Sequence, residues 1–223
     1  MAAAFLGRRL GALGVPAQIR SAGIVREAQP PPDEVLSVMA GARLDVSGHR
    51  SRVVAAADLA GADLVLVMSR GQVRHAAVTF PAAWPRAFTL KELVRRGEQI
   101  GGRRRGESLG DWLAAAHQGR TRTGLLGDCP DDDVADPSGG PWRDYLAAAE
   151  EIDQLIGRLV GLCWGQDASP GPRASLSASR PHPRLPACTR SCLPAAGLPA
   201  RGGAACLRWR PPSSASGAHP VSG

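Results

Sequence analysis

Asp63-Leu64-Val65-Leu66-Val67-Met68 is the stretch on which the reading of the fold turns. Five apolar residues follow one acid, and no polar residue alternates with them. A strand with one wet face alternates, whereas a strand covered on both faces reads as a continuous apolar run. The run therefore predicts a strand buried between two layers, and the segments around it have to supply those layers.

Working outward, Gly71 to Phe80 carries Val73, Ala76, Ala77 and Phe80 at helical spacing. A short strand is expected at Arg86 to Phe88, then a helix through Leu90, Leu93 and Val94. Upstream, Ala2 to Leu13 places Phe5, Leu6, Leu10 and Leu13 on one side of a helix stopped by Gly14. Ala17 to Ser21 is short and extended. The Pro30-Pro31-Pro32 loop leads into Asp33, read as a helix cap before Val35, Leu36 and Met39. His49 to Ala57 is read as a further helix capped by Ser47. Alternation of helix and strand predicts an α/β fold, a parallel sheet flanked by helices.

Downstream, Arg103, Arg104 and Arg105 fall in a stretch read as a solvated loop. Ser108 to His117 reads as a helix capped by Ser108, with Trp112 and Leu113 inward. The stretch from Gly119 to Pro141 is loop-like, acidic at Asp131, Asp132 and Asp133, and ends in Asp136-Pro137-Ser138-Gly139-Gly140-Pro141. Trp142 to Leu162 forms the longest expected helix, with an apolar stripe through Tyr145, Ala149, Ile152, Ile156 and Leu159.

Composition divides the chain into a domain over 1–165 and a tail over 166–223. Pro, Ser, Ala, Gly and Arg dominate the tail without periodicity, so it is expected to be disordered. The formal charge is +7, and the tail carries most of it: seven arginines stand there against Asp167 alone. A nearly neutral body gives little support for specific nucleic-acid binding. Lys91 is the only lysine, which points to a GC-rich coding sequence; a shifted reading frame under that bias also yields such a tail.

The five cysteines, Cys129, Cys163, Cys188, Cys192 and Cys206, make no secreted-type framework. Cys188 and Cys192, with His182 and Cys206, lack the paired knuckles of a zinc site and are read as scattered thiols. No metal or cofactor is expected. No apolar run reaches membrane-spanning length and no export signal is legible, so a cytoplasmic protein is expected, with no membrane partner.

Taken in order, Met1-Ala-Ala-Ala-Phe-Leu6, Ser21-Ala-Gly23, Ser47-Gly-His-Arg-Ser51, Asp63 to Met68, Phe88-Thr-Leu90 and Asp136-Pro137 before a terminal helix resemble the low-molecular-weight protein tyrosine phosphatases. The resemblance spans residues 1 to 162 and implies hydrolysis of phosphotyrosine or small aryl phosphates through a phosphocysteine, without metal. It assigns Asp136 the general acid and base role, with Pro137 stiffening its loop, and gives Ser21 and His49 the bracing of a phosphate-binding loop. From the residues alone, an Asp-Pro pair before a helix is an ordinary turn or cap, and Ser21 and His49 are an ordinary turn hydroxyl and helix-start histidine.

The family's phosphate loop is Cys-x5-Arg-Ser-Pro, and none of the five cysteines has an arginine six residues on. Met1-Ala2-Ala3 matches the helix that follows that loop. The nucleophilic Cys and phosphate-binding Arg are thus absent, and the resemblance implies a domain truncated at its N-terminus, with its first strand missing. That strand belongs between the segments at Ala17–Ser21 and Leu64–Met68. Its loss is expected to leave strand edges uncovered and the chain poorly folded, against a net stability of typically about 5–15 kcal/mol. Such a chain is expected to be inactive as given. The alternatives are an arsenate reductase of the same fold and a non-catalytic binding or regulatory remnant. Ser138 and Gly139 stand where many members carry aromatic residues that contact a tyrosine ring, which leaves the substrate open.

Overall fold

The computed structural model describes residues 1–25, 27–127 and 129–165, together with the main chain of 204–209. In chain order the elements are helix α1 (Ala2–Ala12), strand β1 (Ala17–Ala22), helices α2 (Asp33–Gly41) and α3 (Ala56–Ala60), strand β2 (Leu64–Val67), helix α4 (Arg70–Thr79), strand β3 (Ala87–Thr89), helices α5 (Leu90–Ile100), α6 (Leu109–His117) and α7 (Trp142–Trp164), and strand β4 (Ala204–Trp209).

The apolar run behaves as its pattern predicts: all four residues of β2 are buried. Leu64 and Leu66 join the larger core under α1, α5, α6 and α7, with Phe5, Leu6, Phe88, Trp112 and Ile156. Val65 and Val67 point the other way, into a smaller core with Leu59, Val73, Ala76 and Trp84. A strand with a core on each side has no face left for polar residues, which is why the sequence shows none.

The sheet order is β1-β4-β2-β3. β2 and β3 are parallel, with Val65 opposite Ala87 and Val67 opposite Thr89. β4 runs antiparallel to both neighbours: Ala22 pairs with Ala204 and Ala17 with Trp209 on one side, Leu64 with Leu207 and Leu66 with Ala205 on the other. β1 and β2 therefore run in the same direction, and β1, β2 and β3 form the expected parallel set. The fourth strand comes from the tail and lies between β1 and β2, the position that the resemblance gives to the first strand. Most of the segment expected to be disordered, 166–203 and 210–223, lies outside the described residues. Within it, Ala204–Trp209 departs from the expectation, because two strand edges offer it main-chain partners that its own composition does not announce.

Three local expectations are corrected. The helix expected at His49 to Ala57 is only α3, and Ser47 does not cap it: the Ser47 N–H donates to Asp45 Oδ1 at 2.8 Å. Residues 52–54 are extended instead, with Gly23 N–H donating to the Arg52 carbonyl (2.7 Å) and Val54 N–H to the Gly23 carbonyl (2.9 Å). The β-branched pair Val53-Val54 suits that pairing better than a helix turn. Asp33 opens α2 in the first turn and Pro32 takes the cap position. Arg103 is buried rather than solvated, its guanidinium donating to the carbonyls of Cys163 and Glu107 and so closing the end of α7 onto the 101–107 loop. By contrast, Ser108 caps α6 as expected, accepting from Asp111 N–H at 3.0 Å, and Trp112 and Leu113 are buried.

Candidate active site at the carboxyl edge of the sheet

Parallel strands deliver their following loops to one edge, and binding residues collect there. β1 brings Ser21 to this edge, half-buried and paired in register with Ala205. Just past β2, the Met68 N–H donates to Gln72 Oε1 at 2.8 Å and its carbonyl accepts from Val134 N–H at 2.8 Å. That second bond draws the segment leading to Asp136 onto the edge. The chain then turns: Ser138 N–H donates to Asp136 Oδ1 (3.0 Å) and Gly140 N–H to the Pro137 carbonyl (2.9 Å). Gly139, at φ 79°, fits this turn because glycine has no Cβ to oppose a left-handed backbone. Its N–H donates to the buried Tyr145 hydroxyl at 3.2 Å. Asp136 is exposed, Pro137 half-buried.

Upstream of Val134, the acids that the sequence shows only as a charged loop act as clamps. Asp132 is 3% exposed and pairs with both Arg70 (2.7 Å) and Arg95 (2.6 Å). Asp133 accepts from Arg70 N–H (2.7 Å) at the start of α4 and from Cys129 N–H (3.2 Å). The arginines that Asp132 and Asp133 hold lie more than 30 residues away, so nothing local in the sequence identified this role.

His49 sits in a turn closed by its N–H on the Val46 carbonyl (3.0 Å), not at a helix start. Its pKa is lowered from the ordinary histidine value, first by partial burial of the ring, then by the charges of the Met1 ammonium and of Arg50. Burial likewise lowers the pKa of that ammonium. Ser21, His49, the start of α1 and the Asp136 loop come from four separate segments of the chain. A helix start suits an anion, since the first-turn N–H groups and the helix dipole present positive charge.

Among the described residues no group of three or more His, Cys, Asp or Glu is placed to hold a metal ion. The possible zinc cluster of Cys188, Cys192 and His182 lies outside them. No described helix is long and apolar enough to cross a membrane.

Residues 1–100 match the model of the family described as low molecular weight phosphotyrosine protein phosphatase. Residues 1–100 are of that family. The fold extends the likeness to most of the body. A low molecular weight protein tyrosine phosphatase from T. tengcongensis is similar at 28% identity and a TM-score of 0.53, over 71% of this chain and 86% of that one. The YwlE arginine phosphatase of Geobacillus stearothermophilus is similar at 27% identity and a TM-score of 0.50, over 71% and 79%. The fold is shared with a Bacillus subtilis low molecular weight protein tyrosine phosphatase, 22% identical with a TM-score of 0.53 over 74% and 88%. No curated protein matches the chain. Phosphatases of this family are hydrolases, and the helices flanking the parallel β1, β2 and β3 are their architecture.

Proposed function

We propose that the carboxyl edge of this sheet is built for phosphomonoester cleavage and that Asp136 is its general acid and base, braced by Pro137. The observation that carries the reading is the fastening of the Asp136 loop to the end of β2 through Val134 and Met68. In the reaction a thiolate attacks phosphorus, the ester P–O bond breaks, and the Asp136 carboxyl passes its proton to the departing oxygen. The resulting carboxylate then takes a proton from the water that attacks the phosphocysteine, which releases phosphate and regenerates the thiolate. Ser21 and His49 would brace the loop that holds the phosphate.

The 223 residues supply the proton-transfer half of this chemistry and not the thiol half, since no Cys-x5-Arg occurs in them. Cys129 and Cys163 are buried free thiols, and burial pushes the Cys163 thiol well up, against thiolate formation. These 223 residues by themselves are therefore inactive in this proposal. Free thiols also suit a cytoplasmic setting.

Two assays test the proposal. The 223-residue protein should not hydrolyse p-nitrophenyl phosphate or a phosphotyrosine peptide; turnover lost in Asp136→Ala would overturn the inactivity. A chimera carrying a strand and a Cys-x5-Arg-Ser-Pro loop ahead of Met1 should gain turnover, and Asp136→Ala in it should lower kcat by roughly 10²–10⁴-fold. An unchanged kcat there would remove the acid role. Phosphoarginine peptide run beside phosphotyrosine peptide separates the two substrate classes named for the similar structures.

A further inference from the structure

β1 reaches the rest of the sheet through β4, which stands between it and β2. All six residues of β1 are in register with β4, and three residues of β2 face it from the other side. We infer that the gap between β1 and β2 is a strand-acceptor groove, that Ala204–Trp209 fills it from within the same chain, and that the body keeps its fold only while the groove is filled.

An empty groove would leave main-chain N–H and C=O groups of two strands unpaired inside the protein. With β4 in place, Leu64, Val65 and Leu66 are each 1% exposed or less, so losing it would uncover apolar strand residues together with unpaired main-chain groups. Direct pairing of β1 with β2 is no remedy. Adjacent strands lie about 4.8 Å apart, so closing the gap would drag β1 across one full strand width. α1 packs against β1 and is tied to α7 by Arg8 and Arg9, both on Asp153 Oδ1 at 3.0 and 2.9 Å. That anchorage opposes the slide.

The occupant is fixed by what the groove reads. Pairing on both sides uses main-chain groups, so an inserted segment needs its N–H groups and an extended backbone. Ala204–Arg210 is a stretch without Pro or Gly, bounded by Gly202-Gly203 before it and Pro211-Pro212 after it. Because β4 runs antiparallel, its Ala204 end lies beside Ala22 at the carboxyl edge and its Trp209 end beside Ala17 at the opposite edge.

Amide hydrogen exchange on the full chain tests the inference directly. Amides of 204–209 should be protected to a degree comparable with Leu64–Val67; free-peptide exchange at 204–209 in a protein whose β2 amides stay protected overturns it. Leu207→Pro removes the N–H of the residue opposite both Ile19 and Leu64. It should speed exchange across Ala17–Ala22 and Leu64–Val67 at least about 10-fold, or abolish folding, while Ser213→Pro leaves both unchanged. Equal protection in Leu207→Pro and the parent overturns the dependence. Sedimentation should show a monomer with β4 protection independent of concentration; protection that rises with dimer formation overturns filling from within one chain.

Discussion

The N–H of Val134 donates to the carbonyl of Met68 at 2.8 Å, and this bond ties the approach to Asp136 onto the end of β2. It is made by main-chain atoms, so side-chain substitution at either residue leaves it available. The position of Asp136 is therefore tested through the side chains around the bond: the Asp132 clamp before it and the Tyr145 hydroxyl after it.

Asp132→Ala should destabilise the protein by about 2–3 kcal/mol in chemical denaturation. The carboxylate is buried between two arginines, and its loss strands the partly buried Arg70 guanidinium. Arg95 is close to half exposed and rehydrates, which keeps the loss below that of a fully buried pair. A change under about 0.5 kcal/mol would show that the clamp does not hold.

Tyr145→Phe removes only the hydroxyl that accepts from Gly139 N–H. The expected loss is about 1 kcal/mol. Faster amide exchange should be confined to residues 137–140, and uniform acceleration across the sheet would contradict the local role.

Two glycine substitutions should have opposite signs. A Cβ at Gly97 would meet Trp112 Cζ2 at 2.8 Å and Leu162 Cδ1 at 3.0 Å, where α5 packs against α6 and α7. Gly97→Ala should cost about 1–3 kcal/mol. Gly11, in α1, has nothing within 4 Å of such a Cβ, and Gly11→Ala should add about 0.5–1 kcal/mol through helix propensity. Thermal melts of the pair, read as opposite shifts in Tm, check both.

Stability should fall as pH is lowered through the histidine range. Burial, then Arg120 and Arg96, lower the pKa of His117, and His49 is lowered as well. At His117 the geometry agrees: Arg120 Nη1 lies 3.0 Å from Nδ1, so that nitrogen accepts and the ring is neutral. With folded pKa values below the unfolded value of about 6.5, the unfolded chain binds more protons below that pH. Stability therefore drops as pH falls from about 6.5 toward the folded values and levels off beneath them. His117→Gln should flatten the slope between pH 7 and 5 in denaturation midpoints, whatever it does to the absolute stability.

Legibility in the sequence followed the range of the interactions. β2, α4, α5, α6 and α7 announce themselves because burial on one face or two imposes a local period, and the Ser108 cap is read from its place just before an apolar turn. His49 to Ala57 misled because a few alanines read as helix, while the pairing of 52–54 with Gly23 is made across the chain. The Asp136-Pro137 pair stood out by its resemblance to a known family, yet the anchor of its loop on Met68 was invisible for the same reason. Arg120 was missed altogether: its guanidinium lies 4.1 and 3.9 Å from the centres of the Trp84 and Phe88 rings and pairs with Glu92, a charge buried through partners that sit some 30 residues back.

The antiparallel middle strand has a consequence for biosynthesis. Ala22 and its partner Ala204 are separated by roughly 180 residues, which the ribosome needs on the order of ten seconds or more to add. During that interval two strands and the helices above them emerge with an unfinished seam, exposed to whatever extended polypeptide is nearby. The nascent protein is thus most vulnerable to mispairing midway through its synthesis, and a holding chaperone has its greatest effect in that window.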